Sequence, residues 1–151
     1  MIVTFCGHAT FSKSAEYESK IIDLLLAEIG DTPVNFYLGG YGEFDALAYK
    51  CCKKYKETHP QASLIFITPY ITEEYSRNHL SLYKDKYDEI FYPELEGVPL
   101  KFAIVYRNRW MVEQSDIVIC GITHSWGGAY KTYLHAKKKK KRIFNLTDSN
   151  I

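Results

Sequence analysis

The sequence has no apolar run that approaches the roughly 20 residues needed to span a lipid bilayer. It passes from Met1 directly into a short strand-like segment, without the basic flank and apolar core of a signal peptide. We therefore expect a soluble, cytoplasmic chain that has no membrane partner.

Cysteine is also scarce, and its spacing is uninformative for metal binding. Cys6 and Cys120 lie inside apolar runs, whereas Cys51 and Cys52 are adjacent on a predicted helix. None of the four belongs to a pair of CxxC motifs, so we expect neither structural zinc nor a disulfide framework.

The chain has little net charge. Its formal value of +1 gives no overall attraction to nucleic acid or to an anionic membrane. The one basic run, Lys137–Lys141, falls at the end of a predicted helix, where lysines also complement the helix dipole and stay solvated. Nucleic acid is therefore not an expected partner, and any anion site must be local.

The apolar periodicity alternates between that of strands and that of helices. The segments predicted as strands are Ile2–Cys6, Val34–Leu38, Ser63–Thr68, Asp88–Pro93, Asp116–Gly121 and Arg142–Leu146. Helical patterns separate them: one stops at Gly30, one passes through Ala46 and Tyr55 to end near His59, and three cover Thr72–Lys84, Leu100–Ser115 and Gly128–Lys140. This alternation predicts one α/β domain over residues 1–151, with a doubly wound, mostly parallel, Rossmann-like sheet of about six strands and helices on both faces.

Glycines collect where predicted strands end. They are Gly7 after the first strand, Gly39, Gly40 and Gly42 after the second, and Gly127 and Gly128 after the fifth. Open parallel sheets bind ligands at the carboxyl ends of their strands, and glycine lets backbone N–H groups at a helix start approach a phosphate closely. Glycines that only form tight turns remain the alternative. Neither a Walker A sequence nor G-x-G-x-x-G is present, so dinucleotide binding of the usual kind is not indicated.

The segment "YRNRWM" adds Arg107, Asn108 and Arg109 just before the fifth strand. Arginine recognises phosphate in a bidentate manner, and asparagine can hydrogen-bond a base or a ribose. Taken alone, the triplet is equally typical of a solvated helix face.

The ordered set of R-N-x-x-M, S-D with an apolar strand, a G-G loop, a helix and a last strand resembles the SLOG superfamily, which joins DprA/Smf, YpsA-like and LOG proteins. The resemblance covers nearly the whole chain, and the YpsA-like branch is the most similar. It implies a Rossmann-like fold whose pocket binds a nucleotide or a nucleotide-derived ligand. The positions that it carries over are Gly7, Arg107, Asn108, Arg109, Ser125, Gly127 and Gly128, and Arg109 is the arginine that it favours for the ligand.

The sequence differs from LOG enzymes at the position that supplies their catalytic carboxylate. LOG enzymes split an N-glycosidic bond with a carboxylate after the glycine loop, but no Asp or Glu lies between Gly127 and Ala136 here. Glu43 and Asp45, after the other glycine loop, are the candidate catalytic residues. Both also suit a helix start, where acidic residues are favoured in any case.

Four loop side chains are weaker candidates. His8 and His124 could donate to a phosphate, and Trp126 and Tyr41 could stack on a base, although loop histidines and aromatics also serve structure. Our first hypothesis is a sensor or binding module for a small nucleotide derivative that requires no cofactor or metal. The alternatives are a phosphoribohydrolase of LOG type and a DprA-like nucleic-acid-interacting protein, and a homo-oligomer is left open.

Overall fold

A computed structural model describes residues 1–12 and 14–147, and the remaining residues of the predicted domain lie outside that description. Six strands form one sheet. They are β1 (Ile2–Gly7), β2 (Asn35–Leu38), β3 (Ser63–Ile67), β4 (Glu89–Phe91), β5 (Ile117–Gly121) and β6 (Arg142–Asn145). The predicted strands are all found; β1 extends one residue further, to Gly7, and each of the other five is slightly shorter than predicted.

The sheet is parallel throughout, in the order β4-β3-β2-β1-β5-β6. The chain therefore builds outward from β1 on one side, then crosses back and continues from β5 on the other. The predicted doubly wound α/β class is confirmed. The order of strands reverses between β1 and β5, and this is where such sheets open a crevice for ligands.

Helices fill the connections. They are α1 (Ala15–Ile29), α2 (Gly42–Thr58), α3 (Glu73–Tyr75), α4 (Ser81–Tyr83), α5 (Ala103–Gln114) and α6 (Gly128–Lys138). A wider π-helical turn, Ser76–Leu80, joins α3 to α4, and a 3-10 turn, Leu100–Phe102, leads into α5. None of the helices described is long and apolar enough to cross a membrane.

Helix α1 is fixed by a capping residue at its start and by a stripe of buried side chains. Ser14 precedes it in an extended conformation and accepts the Tyr17 N–H, which caps the helix start. Ile21, Leu25 and Ile29 follow at spacings of four and are buried. Full burial of each such side chain contributes about 1.5–3 kcal/mol, so this one stripe holds the helix on the sheet.

Helix α2 packs on the sheet beside the crevice, because two glycines leave room for Phe44. Gly7 and Gly121 are register partners in the ladder between β1 and β5. A methyl group on Gly7 would come within 2.1 Å of Phe44 Cγ, and one on Gly121 within 2.4 Å of its Cε1. The glycine that ends β1 is therefore required by core packing, whatever the crevice binds.

Candidate functional site

A cavity of about 390 Å³ lies at the carboxyl ends of β1 and β5, at the point where the strand order reverses. Residues of α2, α5 and α6 form its walls. Many of the residues predicted for the site line it, namely Gly7, His8, Asp45, Arg107, Asn108, Arg109, His124, Trp126, Gly127 and Gly128. The topology thus brings together segments that are up to about 120 positions apart in the sequence.

Five other predicted residues lie outside this lining: Gly39, Gly40, Gly42, Glu43 and Ser125. The glycine loop after β2 packs against protein. A methyl group on Gly40 would lie 2.8 Å from Phe66 Cε1, and one on Gly42 would lie 2.6 Å from Ala9 Cα. The Glu43 backbone N–H is already bound to the Ala9 carbonyl at 2.8 Å. This loop therefore supports the wall of the cavity through its contacts with Phe66 and Ala9.

The start of α6 forms one end of the cavity. Gly127 is the residue before the helix, and its φ of +90° is a conformation that favours glycine. It has no side chain to cap the helix, so backbone N–H groups of the first turn remain to bind an anion. Lys131, one turn into α6, also lines the cavity.

The two arginines of the R-N-R segment have different environments. Arg107 is only 2% exposed, and its Nη1 donates to the carbonyls of Ile67 at 2.7 Å and Gly39 at 3.1 Å. Its Nε donates to Asn108 Oδ1 at 2.8 Å. Arg109 is exposed, and its guanidinium lies 5.5 Å from the centre of the Tyr106 ring. Arg107 therefore ties the ends of β2 and β3 to α5, whereas Arg109 is the arginine with freedom to move toward a ligand.

Asp45 is the carboxyl group of the cavity. Its Oδ2 accepts the Tyr41 N–H at 2.9 Å, which helps to fix the start of α2. Burial raises the pKa of Asp45 to about 6, although the Tyr41 N–H and the Arg107 charge act in the opposite direction. The charge of Asp45 therefore changes close to neutral pH.

Three rings form a continuous stack from the interior to the surface. His8 is buried and lies 3.6 Å from His124, measured between ring centres, and His124 lies 3.7 Å from Trp126. Trp126 ends the stack with 68% of its surface exposed. Within residues 1–12 and 14–147, His8 Nε2 and His124 Nδ1 are buried without a hydrogen-bond partner. Burial and the neighbouring His124 lower the pKa of His8, so His8 favours its neutral form.

Several residues of the cavity were missed by the sequence prediction. The polar ones are Lys131, Thr10 and Thr132, and the apolar ones are Phe5, Cys6, Ala9, Ile104, Val105, Met111 and Ala129. Lys131 could have been found, because it lies one helical turn after Gly127. The apolar lining could not, since it requires knowing which faces of α5 and α6 turn toward β1.

The lysine run is distant from the cavity. Helix α6 leads from Gly128 to Lys138, so at 1.5 Å per residue its basic end lies about 15 Å from the helix start, beyond the turn that lines the cavity. Lys138, Lys139 and Lys140 are exposed there.

Comparison with solved structures places the fold near that of DNA processing protein A, DprA. The protein from Helicobacter pylori, described for its single-stranded DNA binding mode, superposes with a TM-score of 0.62 and 20% identity, over 96% of this chain and 64% of that one. DprA from Streptococcus pneumoniae gives a TM-score of 0.67 and 17% identity, over 99% and 51%. This chain thus spans between about half and two thirds of those proteins. No family model and no curated protein matches.

The comparison supports the DprA-like, Rossmann-like fold that the resemblance implies, and it gives no support to the YpsA-like branch. It contradicts the expectation that nucleic acid is not a partner. That expectation was wrong because it relied on a net charge of +1, which says nothing of where the charges lie. Arg109 and Lys131 meet at one cavity although the chain as a whole is nearly neutral.

Proposed function

We propose that this chain binds single-stranded nucleic acid, with one nucleotide of the strand held in the cavity. One observation carries the proposal: the same cavity combines phosphate-binding groups with exposed aromatic rings. Arg109, Lys131 and the start of α6 supply the first, and Trp126 and Tyr41, which is 63% exposed, supply the second. Cations along the backbone with aromatic platforms for the bases are the usual means of binding single strands.

The phosphate end of the site is the first turn of α6. The backbone N–H groups of a first turn have no acceptor within their own helix, and they and the helix dipole favour an anion. Lys131 adds a cation on the same helix, and Arg109 adds one from α5. Neither is tied to a carboxylate by the ion pairs seen in the described part of the chain.

The base end is Trp126. One face of its indole packs on His124, and that ring packs on the buried His8. This backing holds the indole in place, so a base that stacks on it loses little to side-chain ordering. Such stacking is worth about 1–3 kcal/mol per base.

Fluorescence anisotropy with a labelled thymidine oligomer of about ten nucleotides tests the proposal. Lys131→Gln should weaken binding and lower the slope of log affinity against log salt by about 0.7, the value for one phosphate contact on a single strand. Lys139→Gln is the matched control, since it removes the same charge from the far end of α6. Trp126→Ala should weaken binding at least about fivefold.

Two results would contradict this function. One is the absence of binding even at low salt. The other is an equal loss in Lys131→Gln and Lys139→Gln, which would mean that the cavity is not where the strand binds.

A second candidate is a small nucleotide derivative bound in the same cavity. The volume of about 390 Å³ suits a ligand of that size, and Asp45 offers a carboxyl group whose pKa of about 6 suits proton transfer near neutrality. A thermal-shift screen against nucleotides tests binding, because a ligand of the native state raises the midpoint of unfolding. Release of free base that disappears in Asp45→Asn would extend this candidate to N-glycosidic hydrolysis.

A further inference from the structure

Beside the cavity, the start of α5 exposes a group of apolar and aromatic side chains. Leu100 is 64% exposed, Phe102 46% and Tyr106 44%. Ala103, Arg107, Met111 and Val112 form the buried face of the same helix. Phe102, Tyr106 and Arg109 follow one another at spacings of four and three, so they share the outer face. We call Phe102 and Tyr106, with their cations Lys101 and Arg109, the aromatic strip.

Each ring of the aromatic strip carries a cation. The Lys101 ammonium lies 5.1 Å from the centre of the Phe102 ring, and the Arg109 guanidinium lies 5.5 Å from that of Tyr106. No acidic residue occurs between Gly97 and Val112, whereas the exposed Lys101 and Arg109 do. The surface is therefore both aromatic and positively charged, which distinguishes it from a purely apolar docking face.

The aromatic strip is continuous with the cavity. Val105 and Arg109 line the cavity, and Tyr106 and Arg109 belong to the strip, so the two regions meet on one helix. A chain that leaves the cavity along α5 meets Tyr106 first and Phe102 one turn further on. One helical turn separates neighbouring rings by about 5–6 Å, which allows successive stacking contacts.

From this arrangement we propose that the aromatic strip binds the part of the single strand that adjoins the nucleotide in the cavity, with bases stacked on Tyr106 and Phe102. The inference rests on the proposed function and extends it, since it makes the site a track rather than a single pocket. Lys101 and Arg109 then neutralise the phosphates between those bases.

The test compares two probes on the same variants: a thymidine dinucleotide, which reaches from the cavity no further than Tyr106, and an oligomer of about ten nucleotides. Phe102→Ala should lower the affinity for the oligomer about tenfold and leave the affinity for the dinucleotide unchanged. Tyr106→Ala should also weaken binding of the oligomer, and Tyr106→Phe, which keeps the ring, should restore most of that loss. Leu26→Ala, an exposed apolar position on α1, is the matched control and should change the affinity for neither probe.

The possible failures are distinguishable. If the wild type binds neither probe, the proposed function itself is wrong. If Phe102→Ala weakens both probes equally, or neither, the cavity binds the strand but the aromatic strip is not part of the track. If oligomer binding is unchanged and sedimentation shows that Phe102→Ala abolishes a dimer, the aromatic strip is a surface for self-association and the inference is overturned.

Discussion

The pKa of Asp45 predicts a specific cost to stability that can be measured without any ligand. In the unfolded chain this carboxyl has its ordinary pKa of 3.8, and in the folded state burial raises it to about 6. One pKa unit corresponds to 1.36 kcal/mol, so ionised Asp45 costs the folded state about 3 kcal/mol. Asn in its place keeps an oxygen that can accept the Tyr41 N–H but cannot ionise.

The sign follows from proton binding. Between pH 3.8 and about 6 the folded state holds a proton that the unfolded chain releases, so stability rises as pH falls through this window. The cost of Asp45 is fully present above about pH 6 and absent below 3.8. On going from pH 4 to pH 8, the free energy of unfolding of Asp45→Asn should therefore rise by about 2.4 kcal/mol relative to that of the wild type, because part of the cost is already present at pH 4.

Urea unfolding followed by circular dichroism at pH 4, 6 and 8 measures this difference. The exposed Asp23→Asn on α1 serves as the control and should follow the wild type at each pH. A difference between Asp45→Asn and the wild type that does not vary with pH would refute the reasoning. It would mean that the carboxyl is hydrated in the folded protein and that its raised pKa is absent.

Three further predictions, two of them with a control substitution, test the architecture by urea unfolding. Arg107→Ala should lower the free energy of unfolding by about 3 kcal/mol or more, because two carbonyls lose a charged donor. Arg109→Ala is the control and should lower it by less than about 1 kcal/mol. Equal losses would contradict the structural role of the buried Arg107. Gly121→Ala should lower the free energy of unfolding by about 2 kcal/mol, because its methyl group would overlap the ring of Phe44 on α2. Gly97→Ala is the control; its methyl group would point into open space and should change that free energy by under about 0.5 kcal/mol. His8→Phe should gain stability relative to the wild type as pH falls below 6.5. The pKa of His8 is lowered in the folded state, so below 6.5 the unfolded wild-type chain binds more protons than the folded one. Parallel pH profiles of stability for the two proteins would refute this prediction.

Much of the fold could be predicted because its strands are buried on both faces. The run "IVICG" is buried at every position as β5, and such continuous apolar runs are typical of parallel sheets. The helix predicted over Thr72–Lys84 is found, but it contains the wider turn Ser76–Leu80. One extra residue in a turn hardly alters the apolar pattern, so the sequence gives no sign of it.

The site was less predictable because it depends on how helices rotate against the sheet. Arg107 and Arg109 are chemically identical and two residues apart, so no local signal says which is buried. The carbonyls of Gly39 and Ile67, which come from other parts of the chain, decide it. Likewise, the lysine run is the most basic segment of the sequence, yet the direction of α6 carries it away from the cavity.

The stack that ends in Trp126 has a practical consequence for observing this protein. The chain has two tryptophans, and the other, Trp110, is packed between the rings of Tyr37 and Phe91 beside the sheet. The intrinsic emission of Trp110 therefore reports on the integrity of the core, while that of Trp126 reports on the mouth of the cavity. Replacing either by Phe leaves one tryptophan, so folding and ligand binding can be followed separately by tryptophan emission in the unlabelled protein.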